Sequence, residues 1–539
     1  MRVGLAQINV TLGAFKENAD LILEHISRAK QKHCDLVVFP ELALFGYLPG
    51  DLLERKSIYD AQWKEFRRIE AKMPAGISAL VGLVTDAKKK HGKPYYNSAA
   101  LIQKGKKTQF FHKELLPNYD VFDDPRFFER GSDSENFFRL KGKKVLVTLC
   151  EDIWGWGQEL ENANYQRNPL KGLKKTGVDL VVNLSASPFS MGQRKKRFDV
   201  VKKTALHFQC PVAYTNMVGG QDEIIFDGGS FALDKKGRHL AQSVYFEEDL
   251  NVVDLEKQEG GKRNTSKDEI EHLYQALILG IRDYARITGI PKIHLGLSGG
   301  IDSALVACLA AEALGAGQVT CLAMPGPFSA PESFTLAKKL AANLKCRFLE
   351  VEIGKHYELL KKSLDQAFEV KEFGVLHENL QARLRGTILM AFANKNSSLL
   401  VSTSNKSEFA TGYATLYGDM CGGLAPLGDV LKGQVYQLCE YINREYELIP
   451  KRIIERPPTA ELKANQKDQD TLPPYNELDQ SIQKIVVERR SAKSSQEKWL
   501  LETLHRTEFK RWQASPVLRV SPRAFGRGRR MPIAHKGLF

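Results

Sequence analysis

Four short runs of this chain are apolar almost without a break: residues 35–40 (DLVVFP), 144–150 (KVLVTLC), 178–184 (VDLVVNL) and 212–217 (VAYTNM). A strand with one wet face alternates apolar and polar side chains, so runs like these belong to strands covered on both faces. The cover is visible nearby. Residues 15–31 carry Leu21, Ile22, Ile26 and Ala29 at helical spacing, just after a β-prone stretch at 3–10. The first half of the chain therefore reads as α/β.

A second α/β unit follows residues 255–268 (LEKQEGGKRNTSKD), which are charged, contain glycine and show no periodicity. The pattern then predicts a helix over 269–288, a strand over 292–297, a glycine turn, and a helix over 302–314 that stops at Gly315 and Gly317. We expect a first domain at 1–255, a linker at 256–268 and a second domain at 269–539. The stretch 454–476 (IERPPTAELKANQKDQDTLPPYN) is polar, rich in proline and too long for a simple connection, which marks a functional or a disordered loop.

Composition excludes several classes. Hydrophobic residues make up 43% and charged residues 26%, the balance of a globular protein. No apolar run approaches the roughly 20 residues of a membrane helix, and no basic segment followed by an apolar core opens the chain. We expect a cytoplasmic protein with no membrane partner. The eight cysteines form no CxxC pair, which argues against a zinc ribbon or a disulfide framework and fits a reducing compartment. The net charge of +14 is dispersed, with its densest run at 523–530 (RAFGRGRR). No nucleic-acid motif accompanies it, so we expect phosphorylated small-molecule ligands and no nucleic acid.

Three residues stand at places where chemistry can happen. Glu41 follows the first apolar run, Cys150 ends the second, and Lys113 lies in HKELLPNY after another β-prone segment. Ligands of open α/β sheets bind beyond the carboxyl ends of the strands, so a Glu and a Cys at two such ends can share a pocket. An amide carbon is a poor electrophile and calls for a thiolate nucleophile. A carboxylate can take the thiol proton and later one from water. An ammonium can lower the thiol pKa and meet the oxyanion, and the N–H of Glu151 is a second candidate donor.

The segments FPELALFGY, HKELLPNY and LCEDIW, in this order, resemble the three motifs of the nitrilase superfamily of carbon–nitrogen hydrolases. SASPF (185–189) and NMVGGQDEIIFDGGS (216–230) resemble its later strands. The resemblance implies a four-layer αββα sandwich, a Glu41–Lys113–Cys150 triad, and glutamine contacts from Tyr119, Ser187 and the position of Gln193. Gln193 departs from the basic residue expected there, and an insertion follows Trp156.

The second unit opens on HLGLSGGIDS (294–303). A turn that leaves a strand and begins a helix presents free N–H groups and the positive end of the helix dipole to an anion. Gly299 and Gly300 let the backbone approach a phosphate, and Ser298 and Ser303 add hydroxyls. Asp302 is compatible with phosphate only through a cation, which points to Mg²⁺. There is no GxxxxGK[ST], so this is not the kinase or GTPase loop.

SGGIDS resembles the pyrophosphate loop of the N-type ATP pyrophosphatases, whose fold is a Rossmann-like, doubly wound parallel sheet. ENLQARLRG (378–386), STSNKSEFATGYATLYGDM (402–420), the proline-rich loop and SPRAFGRGRRMPIAHK (521–536) resemble the bacterial NAD synthetase family that takes its nitrogen from glutamine. That resemblance implies ATP contacts from Gly296, Leu297, Ser298, Gly299, Gly300, Ile301, Asp302, Ser303, Thr403, Lys432 and Thr459. It implies deamido-NAD contacts from Asn379, Arg383, Glu408, Asp419 and Lys510, with Asp302 and Glu408 holding Mg²⁺. It also implies a homo-oligomer and an internal path for ammonia. Two other readings use the same residues: an amidotransferase with a different carboxylate or carbonyl acceptor, and a plain amidase carrying a degenerate nucleotide module.

Overall fold

The computed structural model describes residues 1–89, 91–131, 136–156, 165 and 168–537. The chain falls into two compact units, Met1–Lys267 and Asp268–Phe539. In chain order, the strands of the first unit are β1 (Arg2–Gln7), β2 (Leu36–Val38), β3 (Ser78–Asp86), β4 (Tyr95–Gln103), β5 (Gln109–His112), β6 (Phe137–Leu140), β7 (Lys143–Leu149), β8 (Leu180–Ser185), β9 (Val212–Asn216), β10 (Val218–Gln221), β11 (Ile224–Asp227), β12 (Phe231–Leu233), β13 (His239–Gln242), β14 (Asp249–Asp254) and β15 (Glu259–Gly260). One sheet runs β15-β14-β1-β2-β3-β4-β5 and the other β13-β12-β9-β8-β7-β6, with β10 and β11 paired separately.

The apolar runs are unbroken because each of their strands has two buried faces. Leu36 and Val38 of β2 point into the layer between the sheets, against Val145, Val147 and Val182. Val37 points the other way, toward Ile22 and Ile26 of helix Phe15–Gln31 and Phe66 of helix Lys56–Lys72. On the far side, Val181 and Val212 pack on Val200, Val201 and Ala205 of helix Gln193–Phe208. The order of layers is helix, sheet, sheet, helix, an αββα sandwich. Each fully buried Val or Leu contributes roughly 1.5–3 kcal/mol to holding these layers together.

Part of the segment read as a linker is sheet. β15 pairs with β14, and Gln242 bridges to Lys262. A two-residue edge pairing uses backbone groups alone, so no side-chain periodicity announces it.

In the second unit, helix Glu269–Thr288 begins where Asp268 accepts the N–H of Ile270 at 2.8 Å and ends at Gly289, φ +71°. Strands β16 (Ile293–Gly296), β17 (Val319–Ala323), β18 (Arg347–Glu350) and β19 (Leu399–Leu400) are all parallel, in the order β18-β17-β16-β19. From β16 the chain steps outward to β17 and β18, then returns to the other side of β16 as β19. The crevice beyond the carboxyl end of β16 is therefore a topological switch point, the usual ligand position in such sheets. The glycine turn lies there. No helix among the described residues is long and apolar enough to cross a membrane.

Candidate active sites

Glu41, Lys113 and Cys150 stand just past the carboxyl ends of β2, β5 and β7, and the first two strands belong to one sheet, the third to the other. Stacking the sheets brings these ends together. Lys113 Nζ lies 2.7 Å from Glu41 Oε1 and 2.7 Å from Asp124 Oδ2, with all three side chains almost wholly buried. Burial alone would pull the Lys113 pKa down; the charges of Asp124 and Glu41 outweigh it and hold the value well above that of an ordinary lysine. An ammonium has three N–H donors. Two go to these carboxylates, and one remains.

Cys150 has φ +38°, a strained conformation for a residue with a Cβ and one that concentrates at functional sites. Its pKa is raised well above the usual thiol value, first by burial and then by the Glu41 charge, with Lys113 opposing. The expected lowering by Lys113 is present but outweighed. The resting group is a thiol, and deprotonation must accompany attack.

Two further acids shape this site. Asp152 Oδ1 accepts the N–H groups of Glu114 and Leu115 at 2.9 Å each, and its Oδ2 accepts that of Leu149 at 2.9 Å. It thereby ties the lysine segment to the cysteine turn. Glu151 Oε1 accepts the hydroxyls of Tyr119 at 2.9 Å and Tyr165 at 2.6 Å. Burial pushes its pKa up to about 7. Ser187, past the end of β8, is buried, and its N–H donates to Asn216 Oδ1 at 2.9 Å. Next to it, the Ala186 N–H donates to Glu41 Oε2 at 3.2 Å, which brings this segment against the acid. Gln193 is the first residue of helix Gln193–Phe208, and its N–H bonds the Ser190 carbonyl at 3.0 Å. Residues 157–164, 166 and 167, the bulk of the insertion after Trp156, lie outside the described residues.

In the second unit the turn after β16 closes on itself. Gly300 N donates to Ser298 Oγ at 3.2 Å, and Ser298 N donates to Ser303 Oγ at 3.2 Å. Gly299 has φ +79°, and a Cβ there would stand 2.2 Å from the Ser333 carbonyl, so the position admits only glycine. A cavity of about 290 Å³ opens beside the turn. Of the residues expected to hold ATP, Gly296, Leu297, Ser298, Gly300, Ile301, Asp302, Ser303, Thr403, Lys432 and Thr459 line it; Gly299 sits behind the wall. Glu408 and Asp419 line it as well.

Asn379, Arg383, Asp419 and Lys510 converge on residues 412–419. Asp419 Oδ1 accepts Thr415 N at 2.7 Å, and Asn379 Oδ1 accepts the Thr415 hydroxyl at 2.7 Å. Arg383 donates to Leu416 O at 3.2 Å, and Lys510 to Gly412 O and Ala414 O at 2.8 Å each. Burial pushes Asp419 up to about 6.

Asp302 and Glu408 both face Lys432 Nζ, at 2.5 and 3.8 Å. Burial, followed by the Asp302 charge, drives the Glu408 pKa well up. Among the described residues no three His, Cys, Asp or Glu side chains form a metal cage. Two carboxylates suit Mg²⁺, which keeps waters and takes its remaining oxygens from phosphates.

Sequence reasoning missed Asn97, Asp124, Asp152 and Arg385. Asn97 left a trace as a polar residue inside the apolar strand YYNSAALIQ. Arg385, whose Nε bonds Met324 O at 3.0 Å and whose pKa burial pulls down to about 10, lies two residues past Arg383 on the same helix.

A cysteine-bearing αββα sandwich and a parallel sheet with a glycine turn at its switch point define a carbon–nitrogen hydrolase fused to a nucleotide-using synthase. Residues 2–263 match the carbon-nitrogen hydrolase family and residues 273–514 the NAD synthase family. The chain is 45% identical over 552 residues to the glutamine-dependent NAD(+) synthetase of Synechocystis sp., covering 99% of this chain and 98% of that one. It is 37% identical over 587 residues to the Thermotoga maritima protein of the same name, covering 99% of each. It also superimposes with TM-score 0.78 and 34% identity on the Acinetobacter baumannii glutamine-dependent NAD+ synthetase solved with adenosine diphosphate, covering 99% and 98%. The Cytophaga hutchinsonii enzyme, at 22% identity and TM-score 0.84 over 99% and 98%, shares the fold. The chain belongs to the glutamine-dependent NAD(+) synthetase family, and is therefore an enzyme, a ligase.

Proposed function

We propose that the first unit hydrolyses glutamine to glutamate and ammonia, and that the second uses the ammonia to amidate deamido-NAD through an ATP-derived adenylate, releasing AMP and pyrophosphate. The observation that carries this reading is the buried thiol, carboxylate and ammonium meeting at three strand ends, in a chain that also holds a glycine turn facing two acids.

In the first unit, Glu41 takes the Cys150 proton as sulfur attacks the amide carbon. The remaining N–H of Lys113 meets the oxyanion. Ammonia leaves with the proton from Glu41. A thioester remains, and water deprotonated by Glu41 hydrolyses it. Tyr119, Ser187 and Gln193 hold the glutamine. In the second unit, the turn from Gly296 to Ser303 with Thr403, Lys432 and Thr459 holds ATP, and Asn379, Arg383, Asp419 and Lys510 hold deamido-NAD. The nicotinate carboxylate attacks the α-phosphorus and pyrophosphate departs; ammonia then attacks the acyl carbon and AMP departs. Asp302 and Glu408 would hold Mg²⁺, whose charge offsets that of the phosphates. Residues 1–255 and 269–539 carry the two activities. The enzyme works in the cytoplasm as a homo-oligomer.

ATP–pyrophosphate exchange tests the acceptor. Exchange should require deamido-NAD; exchange with another carboxylate and none with deamido-NAD would reject the assignment.

A further inference from the structure

Asn97 is the third residue of β4 and has no exposed surface. Its Nδ2 donates to Glu41 Oε1 at 2.7 Å, the same oxygen that receives Lys113 Nζ at 2.7 Å. Its main-chain carbonyl accepts the Lys113 N–H at 2.8 Å. One residue thus touches both the proposed base, through its side chain, and the proposed oxyanion donor, through its backbone. Its own Oδ1 has no hydrogen-bond partner among the described residues. A buried amide left half satisfied is destabilising, a cost that an apolar residue at this position would not incur. Packing therefore does not explain the asparagine; its bond to Glu41 does.

That bond makes the two oxygens of Glu41 unequal. Oε1 receives two strong donors, one of them charged. Among the described residues Oε2 receives only the Ala186 N–H, at a longer 3.2 Å. Oε2 therefore keeps an open acceptor position, while Oε1 has two donors engaged. We propose that Asn97 is a positioning residue for glutamine hydrolysis: together with Lys113 it occupies Glu41 Oε1, so that Oε2 takes the Cys150 proton. In that step the S–H bond breaks and an O–H bond forms at Oε2; sulfur bonds the amide carbon as the C=O π bond breaks and its pair moves to oxygen, while Asn97 gives up nothing. The inference rests on the roles assigned above to Glu41 and Cys150.

The test uses the full chain with Asn97→Ala and the near-isosteric Asn97→Leu, which keeps the volume, adds no charge and removes the donor. Both should lose glutamine-driven NAD synthesis on the order of 10²-fold in kcat, the scale of a misplaced catalytic group, with the KM for glutamine little changed. Ammonia-driven synthesis should stay at the parent rate. The acid limb of the glutaminase pH profile should move to higher pH, because the carboxylate loses a donor that favours its ionised form. A purely structural asparagine would lower the melting temperature and leave that limb in place. Should Asn97→Ala fail to fold, Asn97→Leu decides alone. Retained glutamine kcat or an unmoved acid limb in Asn97→Leu overturns the inference. Cys150→Ala run in parallel separates the two levels: if it keeps glutamine use, the underlying triad is wrong; if it loses it while Asn97→Leu is normal, only the role of Asn97 fails.

Discussion

Lys432 Nζ lies 2.5 Å from Asp302 Oδ2, joining the first turn of helix Ile301–Leu314 to the start of helix Lys432–Ile442. The same ammonium is 3.8 Å from Glu408 Oε1 and stands over the Tyr475 ring at 5.3 Å. It lines the cavity proposed for ATP and neutralises the two acids proposed to hold a metal. Asp302→Ala and Glu408→Ala should each cut NAD formation on the order of 10²-fold or more from either glutamine or ammonia. Chelation of Mg²⁺ should stop NAD formation and leave glutamine hydrolysis running. Near-normal turnover in either variant removes that residue from the metal site.

The division of labour is tested at Cys150. Cys150→Ala should lower glutamine-driven synthesis on the order of 10⁴–10⁶-fold, because no neighbour can replace a nucleophile. The folded variant should still make NAD from added ammonia. Glu41→Ala and Lys113→Ala should share this pattern without additive losses, since each is in contact with the other at 2.7 Å. Loss of ammonia-driven synthesis in folded Cys150→Ala would show that the two activities are not separable in this way.

Glu151 links folding to pH. Burial raises its pKa from 4.5 to about 7, so the folded chain holds this proton more tightly than the unfolded one. Stability is therefore highest below the unfolded value and declines as pH rises from about 4 to about 7, by about 3 kcal/mol from this group. Glu151→Gln has no proton to lose. Urea unfolding at pH 4 and pH 8 should show the parent losing about 3 kcal/mol more than the variant over that interval. Equal losses would falsify the assignment.

The proline-rich loop is held down at identifiable points. Glu461 accepts Arg456 Nη2 at 2.7 Å, the Ser333 hydroxyl at 2.5 Å and the Ala330 N–H at 3.2 Å, and Leu462 O accepts Gln381 Nε2 at 2.9 Å. Thr459, Glu461 and Asp468 of this loop line the nucleotide cavity. Glu461→Ala should speed limited proteolysis within 456–475, and an ATP analogue with deamido-NAD should slow it again. Cleavage that responds to neither change would mean that the loop is not a closing element.

Apolar patterning specified the layers, and the residues that follow each run specified the chemistry available at their ends. Residues 15–31 form the predicted helix to the residue, and the runs around 144–150 and 178–184 are β7 and β8, because unbroken apolar stretches have no stable place except between covering layers. Glu41, Cys150 and the glycine turn were legible because each follows such a run. Which groups meet depends on how the chain folds. Asp124, Asn97 and Asp152 act on Lys113, Glu41 and the backbone of Glu114 and Leu115 from 11 to 56 residues away. Such pairings depend on sheet register and stacking, which leave no periodic signal in the chain. The protonation of the site was likewise set there: beside Lys113, sequence alone suggests a lowered thiol pKa, whereas burial and the Glu41 charge raise it. Desolvation acts through the whole surrounding shell, and that shell exists only once both sheets are packed.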